Sequence, residues 1–312
     1  MRNIIFLYSG ILFLVFLILS ISTFSDEDYS IERRLWRINK QFTLLSRDPE
    51  AVPMIAFEHL EKKYFKILQK YQRSKAVEPI YIILGRVHIF QKDYPKARAT
   101  FSQILKRYPD NHELCSQALF WIGKSYEIEN NSQEAQNAYK QIIHDYPLSS
   151  VGISIPLYIA NYYQSKNNYS QATSAYNQAV EFYKKISLEY PNSPLEYNAL
   201  QFLTQCFIAK NRWADAVHTL GDILLKYPTI DYLTPEEAEL IIKKINSIAM
   251  NKLKDPSIAM DIYENFTNRY PKHPLNNSLK IMLDNLNDLK EQKIGVSSSA
   301  GAPNGNIYAI SF

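Results

Sequence analysis

Six histidines occur, at positions 59, 88, 112, 144, 218 and 273, and the 2 cysteines are Cys115 and Cys206. Only His112 and Cys115, three positions apart, could share one side of a helix as metal donors. Two donors do not make a zinc site, which takes three or four His, Cys or carboxylate ligands. The cysteines are 91 positions apart on segments that read as different helix pairs, so two buried thiols are expected rather than a disulfide. No HExxH, GxSxG, phosphate-loop or dinucleotide signature is present. Asp and Glu total 31, but carboxylates act as an acid and base pair only in a cleft that separates their environments. The expectation is a protein that is not an enzyme and holds neither metal nor cofactor. Recognition by surface is the chemistry that remains.

Recognition needs a scaffold, and the composition narrows its type. Only 8 of 312 residues are Gly, while Tyr reaches 23 and hydrophobic residues 46%. So little glycine leaves no material for Gly-rich loops or tight-turned all-β architectures, and so much apolar content is incompatible with a disordered chain. Lys and Arg number 35 against 31 Asp and Glu, a net +4 without long single-sign blocks. That balance argues against a nucleic-acid partner.

No charged residue occurs from Ile4 to Phe24, and about twenty apolar residues suffice for a helix to cross a bilayer. Residues 1–25 therefore read as a transmembrane anchor. A cleaved secretory signal, using Ser20 and Ser22 or Thr23 and Ser25 at the cleavage site, is the alternative. Arg2 on one flank and Asp26, Glu27 and Asp28 on the other orient the amino terminus to the cytoplasm and the bulk of the chain to the far side. No Cys follows the run, so a lipid-modified amino terminus is excluded.

The soluble part repeats. FSQILKRYP, YKQIIHDYP, YKKISLEYP, LGDILLKYP and YENFTNRYP end at Pro109, Pro147, Pro191, Pro228 and Pro271, at intervals of 38, 44, 37 and 43 residues. Each has an apolar face at helical spacing, stopped by a proline. A small residue stands one turn before the leading aromatic: Ala97 before Phe101, Ala135 before Tyr139, Ala172 before Tyr176, Ala259 before Tyr263. Upstream of each lies a second amphipathic segment, such as YIILGRVHIF with Tyr81, Leu84, Gly85 and His88 facing inward. In the third unit the closing proline arrives seven residues late, about two helical turns. Thr234-Pro235-Glu236-Glu237 is a helix start signal for the fifth.

These units resemble tetratricopeptide repeats. Tyr81, Leu84, Gly85, Ala97, Phe101 and Pro109 take the family's positions in the first, and Leu119, Gly123, Tyr126, Ala135, Tyr139 and Pro147 in the second. The fourth keeps Leu200, Leu203, Phe207, Ala216 and Leu220 but has Thr204 in place of glycine. The resemblance implies an all-α fold, a right-handed superhelical array of helix-turn-helix repeats, here following an N-terminal transmembrane helix. Residues 26–78 read as a degenerate first repeat, 79–274 as five repeats, 275–293 as a capping helix and 294–312 as a flexible tail.

Family groove positions, carried over onto this chain, are Ile82, Arg86, Ile89 and Phe90 in the first repeat and Gln117, Phe120, Lys124, Glu127 and Ile128 in the second. The third supplies Leu157, Asn161 and Gln164, and the fourth Asn198, Gln201 and Gln205. Side-chain amides both donate and accept, so such a row can pair with the backbone of an extended peptide or simply solvate a helix face. The basic clamp for a terminal carboxylate is not reproduced around Arg86 and Lys124. Endings such as YPDN, YPNSP and YPKHP look like those of bacterial outer-membrane assembly lipoproteins and the periplasmic cell-division coordinator. The resemblance implies a membrane-anchored scaffold in the inner membrane, mostly periplasmic, that binds a protein or peptide partner of the envelope. A cell-wall polymer or glycan binding module is the alternative.

Overall fold

The computed structural model describes residues 29–72, 74–228 and 233–299, and every regular element among them is helical. Helix α1 covers 29–45. It is followed by α2 (Met54–Lys70), α3 (Ile80–Phe90), α4 (Tyr94–Arg107), α5 (His112–Ile128), α6 (Ser132–Asp145) and α7 (Ser150–Ser165). Then come α8 (Tyr169–Glu189), α9 (Pro194–Ala209), α10 (Trp213–Lys226), α11 (Pro235–Ile248), α12 (Ser257–Arg269) and α13 (Asn276–Ser299). The chain divides into two compact units, Met1–Ile155 and Pro156–Phe312. The apolar run of residues 4–24 lies outside the described residues, among which no helix is long and apolar enough to cross a membrane.

Tyr-Pro ends the second helix of five pairs, because the residue before a proline is pushed out of the helical region. Tyr108, Tyr146, Tyr190, Tyr227 and Tyr270 are the C-caps of α4, α6, α8, α10 and α12, with φ between −121° and −135°. The late proline of the third unit appears as length: α8 has 21 residues where α4, α6 and α10 have 14. The helix start expected at Thr234 is present and takes the form of a capping box, with Glu237 N–H donating to Thr234 Oγ1 at 3.2 Å and Thr234 N–H to Glu237 Oε2 at 2.9 Å.

Between first and second helices the chain reverses through one residue. Lys92, Asn130, Asn167 and Asn211 have φ of 62°, 60°, 58° and 55°. Asp93 N–H returns to His88 O and Lys92 N–H to Ile89 O, both at 2.9 Å, and the same two bonds recur at Asn130, Asn167 and Asn211. This is the Schellman closure, usually built on glycine. The residue after it caps the next helix: Asp93, Asn131 and Asn168 accept from Lys96, Glu134 and Gln171 N–H. Asn tolerates the left-handed region, so the chain turns these corners without glycine.

Glycine is kept for helix contact. A Cβ on Gly85 would stand 2.3 Å from the Phe101 ring, and one on Gly123 2.4 Å from Tyr139. In the fourth pair Thr204 fills the glycine place, and the residue sixteen positions on is Leu220 rather than an aromatic. Ala97, Ala135, Ala216 and Ala259 are fully buried. In the first unit α3 packs on α2, α4 and α5, and in the second α10 packs on α9, α11 and α12. Helix α13 runs to Ser299, six residues past the boundary expected at 293. Gly/Ser-rich composition suggested a loop there, but an established helix propagates through such residues at about 0.5–1 kcal/mol each.

Candidate partner-binding face

Arg86 stands in the middle of α3. Its guanidinium carbon lies 4.8 Å from the centroid of the Phe42 ring on α1 and 4.7 Å from that of Trp121 on α5. The side chain is thus clasped between the first helices of the neighbouring pairs, a contact worth about 0.5–2 kcal/mol per ring. Burial lowers its pKa, yet a guanidinium remains charged in proteins. Its Nε is buried with no hydrogen-bond partner among the described residues. A buried donor without an acceptor costs about 1–3 kcal/mol.

Beside it, Phe90 is half-buried, 6.0 Å from Phe42 and 5.3 Å from Phe57 between ring centroids. Phe120 on α5 meets Trp121 edge-on at 5.7 Å. One turn on, Lys124 Nζ donates to Glu127 Oε2 at 2.6 Å, and Tyr139 Oη donates to Glu127 Oε1 at 2.9 Å. Gln117 is half-buried and donates to Glu113 Oε1 at 3.4 Å, while Ile128 is 45% exposed. Burial would raise Glu113, but hydrogen bonds from Ser150 outweigh it and hold the carboxyl below its ordinary range. Arg86, Phe90, Gln117, Phe120, Lys124, Glu127 and Ile128 therefore leave surface on the first helices of one unit.

Ile82 and Ile89 do not. Both are buried in the core of the first unit, and Leu157 is buried in the same way. Three neighbours around α3 leave only a narrow strip of it open, and positions on the strip's flanks are covered.

The second unit is described by itself. Asn161, Gln164, Asn198 and Gln205 are exposed and Gln201 is half-buried. Tyr176 Oη lies 2.7 Å from Asn161 Oδ1 and also bonds Gln164. One phenolic proton serves a single acceptor, so one of the two amides must present its NH2 to the oxygen. Two of the five amides are thereby engaged within the protein. The device recurs: Tyr64 Oη donates to Asn39 at 2.8 Å and Tyr263 Oη to Asn246 at 2.8 Å. In each case a second-helix tyrosine keeps its ring in the core and fastens a polar side chain of the first helix.

The thiols are buried in the helix packing, and of the histidines His88 alone is buried among the described residues. Cys115 and Cys206 are buried and unpaired; burial pushes Cys115 up and Cys206 to about 12. Such thiols are poor nucleophiles. His112 packs on the Tyr146 ring at 5.4 Å. His88, 2% exposed, meets Thr100 Oγ1 at 3.1 Å and lies 3.4 Å from Glu61 Oε1. Glu61 is also bound by Lys96 Nζ at 2.6 Å and Gln91 at 3.0 Å.

Sequence reasoning missed Phe42 and Trp121. Trp121 adjoins Phe120 in sequence, a usable signal, but nothing in the spacing links Phe42 to Arg86 across 44 positions.

Residues 81–111 and 117–149 match the tetratricopeptide repeat family model. These two helix pairs are tetratricopeptide repeats. No curated protein matches the chain. Among solved structures it is similar to BtubC (BKLC) from P. vanneervenii, at 13% identity and a TM-score of 0.33, over 88% of this chain and 97% of that one. It is also similar to a tetratricopeptide repeat protein from Parabacteroides merdae, at 12% identity and a TM-score of 0.37, over 77% and 80%. A third is the TPR2AB domain of yeast Sti1 in complex with pHSP90, at 10% identity and a TM-score of 0.33, over 83% and 97%.

Proposed function

We propose that this protein is a non-enzymatic scaffold, tethered to a bacterial membrane by residues 1–25, whose first-helix face around Arg86 holds an extended segment of another envelope protein. The observation that carries the reading is Arg86, held in place between Phe42 and Trp121 and still part-exposed. A backbone carbonyl or carboxylate of the partner meets the part-exposed guanidinium, while Phe120 offers apolar contact beside it. Repeat arrays commonly use the face lined by their first helices in this way. The charge-free run from Ile4 to Phe24 supports the tether, and the YPDN, YPNSP and YPKHP endings support the envelope setting.

The glycan alternative calls for rings open to stack on sugars. Trp121 is covered by Arg86 and Phe90 by Phe42 and Phe57, which favours the protein partner. Sedimentation with purified peptidoglycan should leave the protein in the supernatant.

A second reading of the membrane side has its own observation. Arg33, Arg34, Arg37 and Lys40 lie within 16 positions of Phe24, against Arg2 before the run, and it is the Lys/Arg bias that orients a span. Those four favour a cytoplasmic array; Asp26, Glu27 and Asp28 with Arg2 favour a periplasmic one. A compartment-sensitive reporter fused after Phe312 distinguishes them. The partner reading is tested by pull-down from solubilised membranes, where Phe120→Ala lowers recovery of the partner several-fold. Unchanged recovery with both Phe120→Ala and Arg86→Lys would sink the assignment of this face.

A further inference from the structure

Helix α1 has two apolar faces. Ile31, Leu35 and Phe42 are buried and pack within the first unit. On the opposite side Tyr29, Trp36 and Leu44 are 67%, 64% and 54% exposed. Interleaved with them are Arg33, Arg37 and Lys40, all exposed; the six fall at i, i+4, i+7, i+8, i+11 and i+15, a single helical stripe. Lys40 Nζ sits over the Trp36 ring at 5.5 Å from its centroid, so the two kinds of side chain form one surface. The solvent side of a globular helix is ordinarily polar throughout. Aromatic and long basic side chains together are what a lipid headgroup layer accommodates, rings at the acyl boundary and cations at the phosphates.

The chain's charge is distributed to match. Residues 29–70 hold nine Lys and Arg against five Asp and Glu, which equals the +4 of the entire chain. The remainder is balanced, so the basic excess belongs to the α1–α2 hairpin. Position adds a constraint that rests on the tether proposed above. Tyr29 is five residues beyond Phe24, and five residues span at most about 18 Å. The stripe is therefore within reach of the bilayer in which the run would end.

We propose that the outer face of α1 lies against an anionic lipid surface, with Trp36 and Tyr29 at headgroup level and Arg33, Arg37 and Lys40 on lipid phosphates. The hairpin then fixes how the repeats leave the membrane, rather than hanging on a slack tether.

The test uses the full chain in lipid nanodiscs containing brominated acyl chains, with either phosphatidylcholine alone or added phosphatidylglycerol. Subtracting the emission of Trp36→Phe isolates Trp36 from Trp121 and Trp213. In anionic discs Trp36 should be blue-shifted and quenched. In phosphatidylcholine discs, or in the Arg33→Gln, Arg37→Gln, Lys40→Gln triple variant, it should emit as in water. Removing each charge weakens the surface contact by about fivefold, and circular dichroism of the exposed-site variant should be unchanged. A chain retained in the discs with Trp36 equally unquenched in both lipids overturns the proposal and leaves the tether standing. A chain that fails to enter discs overturns the tether; Trp36 is then read on added vesicles of the same two compositions, where absence of anionic quenching overturns this proposal too. Binding of an oligonucleotide that the triple variant abolishes, without lipid quenching, reassigns the face to nucleic acid.

Discussion

In the first unit the first helices present a cation clasped by two rings, Phe42 and Trp121 around Arg86; in the second they present amides, two of which, Asn161 and Gln164, are tied to Tyr176. The clasp joins the first helices of three pairs, whereas the amide bracing lies within one pair, α7 and α8. The difference lies in what the second-helix residue at the aromatic position does. Phe101 has no polar end with which to hold a first-helix side chain, whereas Tyr176, like Tyr139 and Tyr64 in the first unit, reaches through and fastens one. A repeat can thus trade exposed binding chemistry for internal bracing by a single hydroxyl.

The largest expected effect breaks the shared basis of that comparison. Gly123→Val places a branched side chain where a Cβ already meets Tyr139 at 2.4 Å, and should destabilise the first unit by about 3 kcal/mol in urea unfolding. Leu220→Phe in the second unit, opposite Thr204, should cost about 1–3 kcal/mol by the same overpacking. Adding Thr204→Gly should recover most of it, giving a coupling energy of at least about 1 kcal/mol. Additive losses would mean that the small-residue and aromatic positions do not meet in this pair.

Next is Glu196, 2% exposed, which burial alone would raise. Hydrogen bonds from Lys226 Nζ, Tyr227 Oη and Asn192 N–H, each at 2.6 Å, outweigh burial and hold its carboxyl below the ordinary 4.5. Its contribution is therefore complete above about pH 4.5 and is lost as pH falls through the depressed folded value. Glu196→Gln should lower stability by about 2 kcal/mol at pH 7, and the gap between the two proteins should close in acid. A gap constant down to pH 2 would remove the ionised carboxylate from the account.

Tyrosine hydroxyls should give smaller, graded losses. Tyr139→Phe takes a bond from the ionisable Glu127, worth about 1.5–3 kcal/mol, while Tyr176→Phe removes bonds to neutral amides at about 1 kcal/mol. Equal losses would erase the distinction between bracing a charge and bracing an amide. The smallest effect is at the turns. Lys92→Gly should stabilise by about 0.5 kcal/mol, since φ of 62° strains a lysine, and Asn130→Gly should be near neutral.

Much of this was readable from residue order. Tyr-Pro marked five helix ends by a rule of backbone sterics, and the late Pro191 forecast the longer α8, because both are local in sequence. Gly85 with Phe101 and Gly123 with Tyr139 were visible as recurring positions. The left-handed turns were present as Lys92-Asp93, Asn130-Asn131 and Asn167-Asn168, and would have explained how so glycine-poor a chain turns. Burial of Ile82, Ile89 and Leu157 was not visible, since it depends on how many neighbours flank each first helix. The Phe42, Arg86 and Trp121 clasp was hidden for the same reason: it joins three helices whose contact exists only in the folded stack.

The most direct test of the partner face places a photo-cross-linking amino acid at Gln117, at Phe120 and, as an outward control, at Leu188, which is 80% exposed on α8. In native membranes the account predicts one adduct of common mass from positions 117 and 120, weakened when Arg86→Lys is added, and none of that mass from 188. The same adduct from 188 at equal yield, or no adduct from 117 and 120, would contradict it.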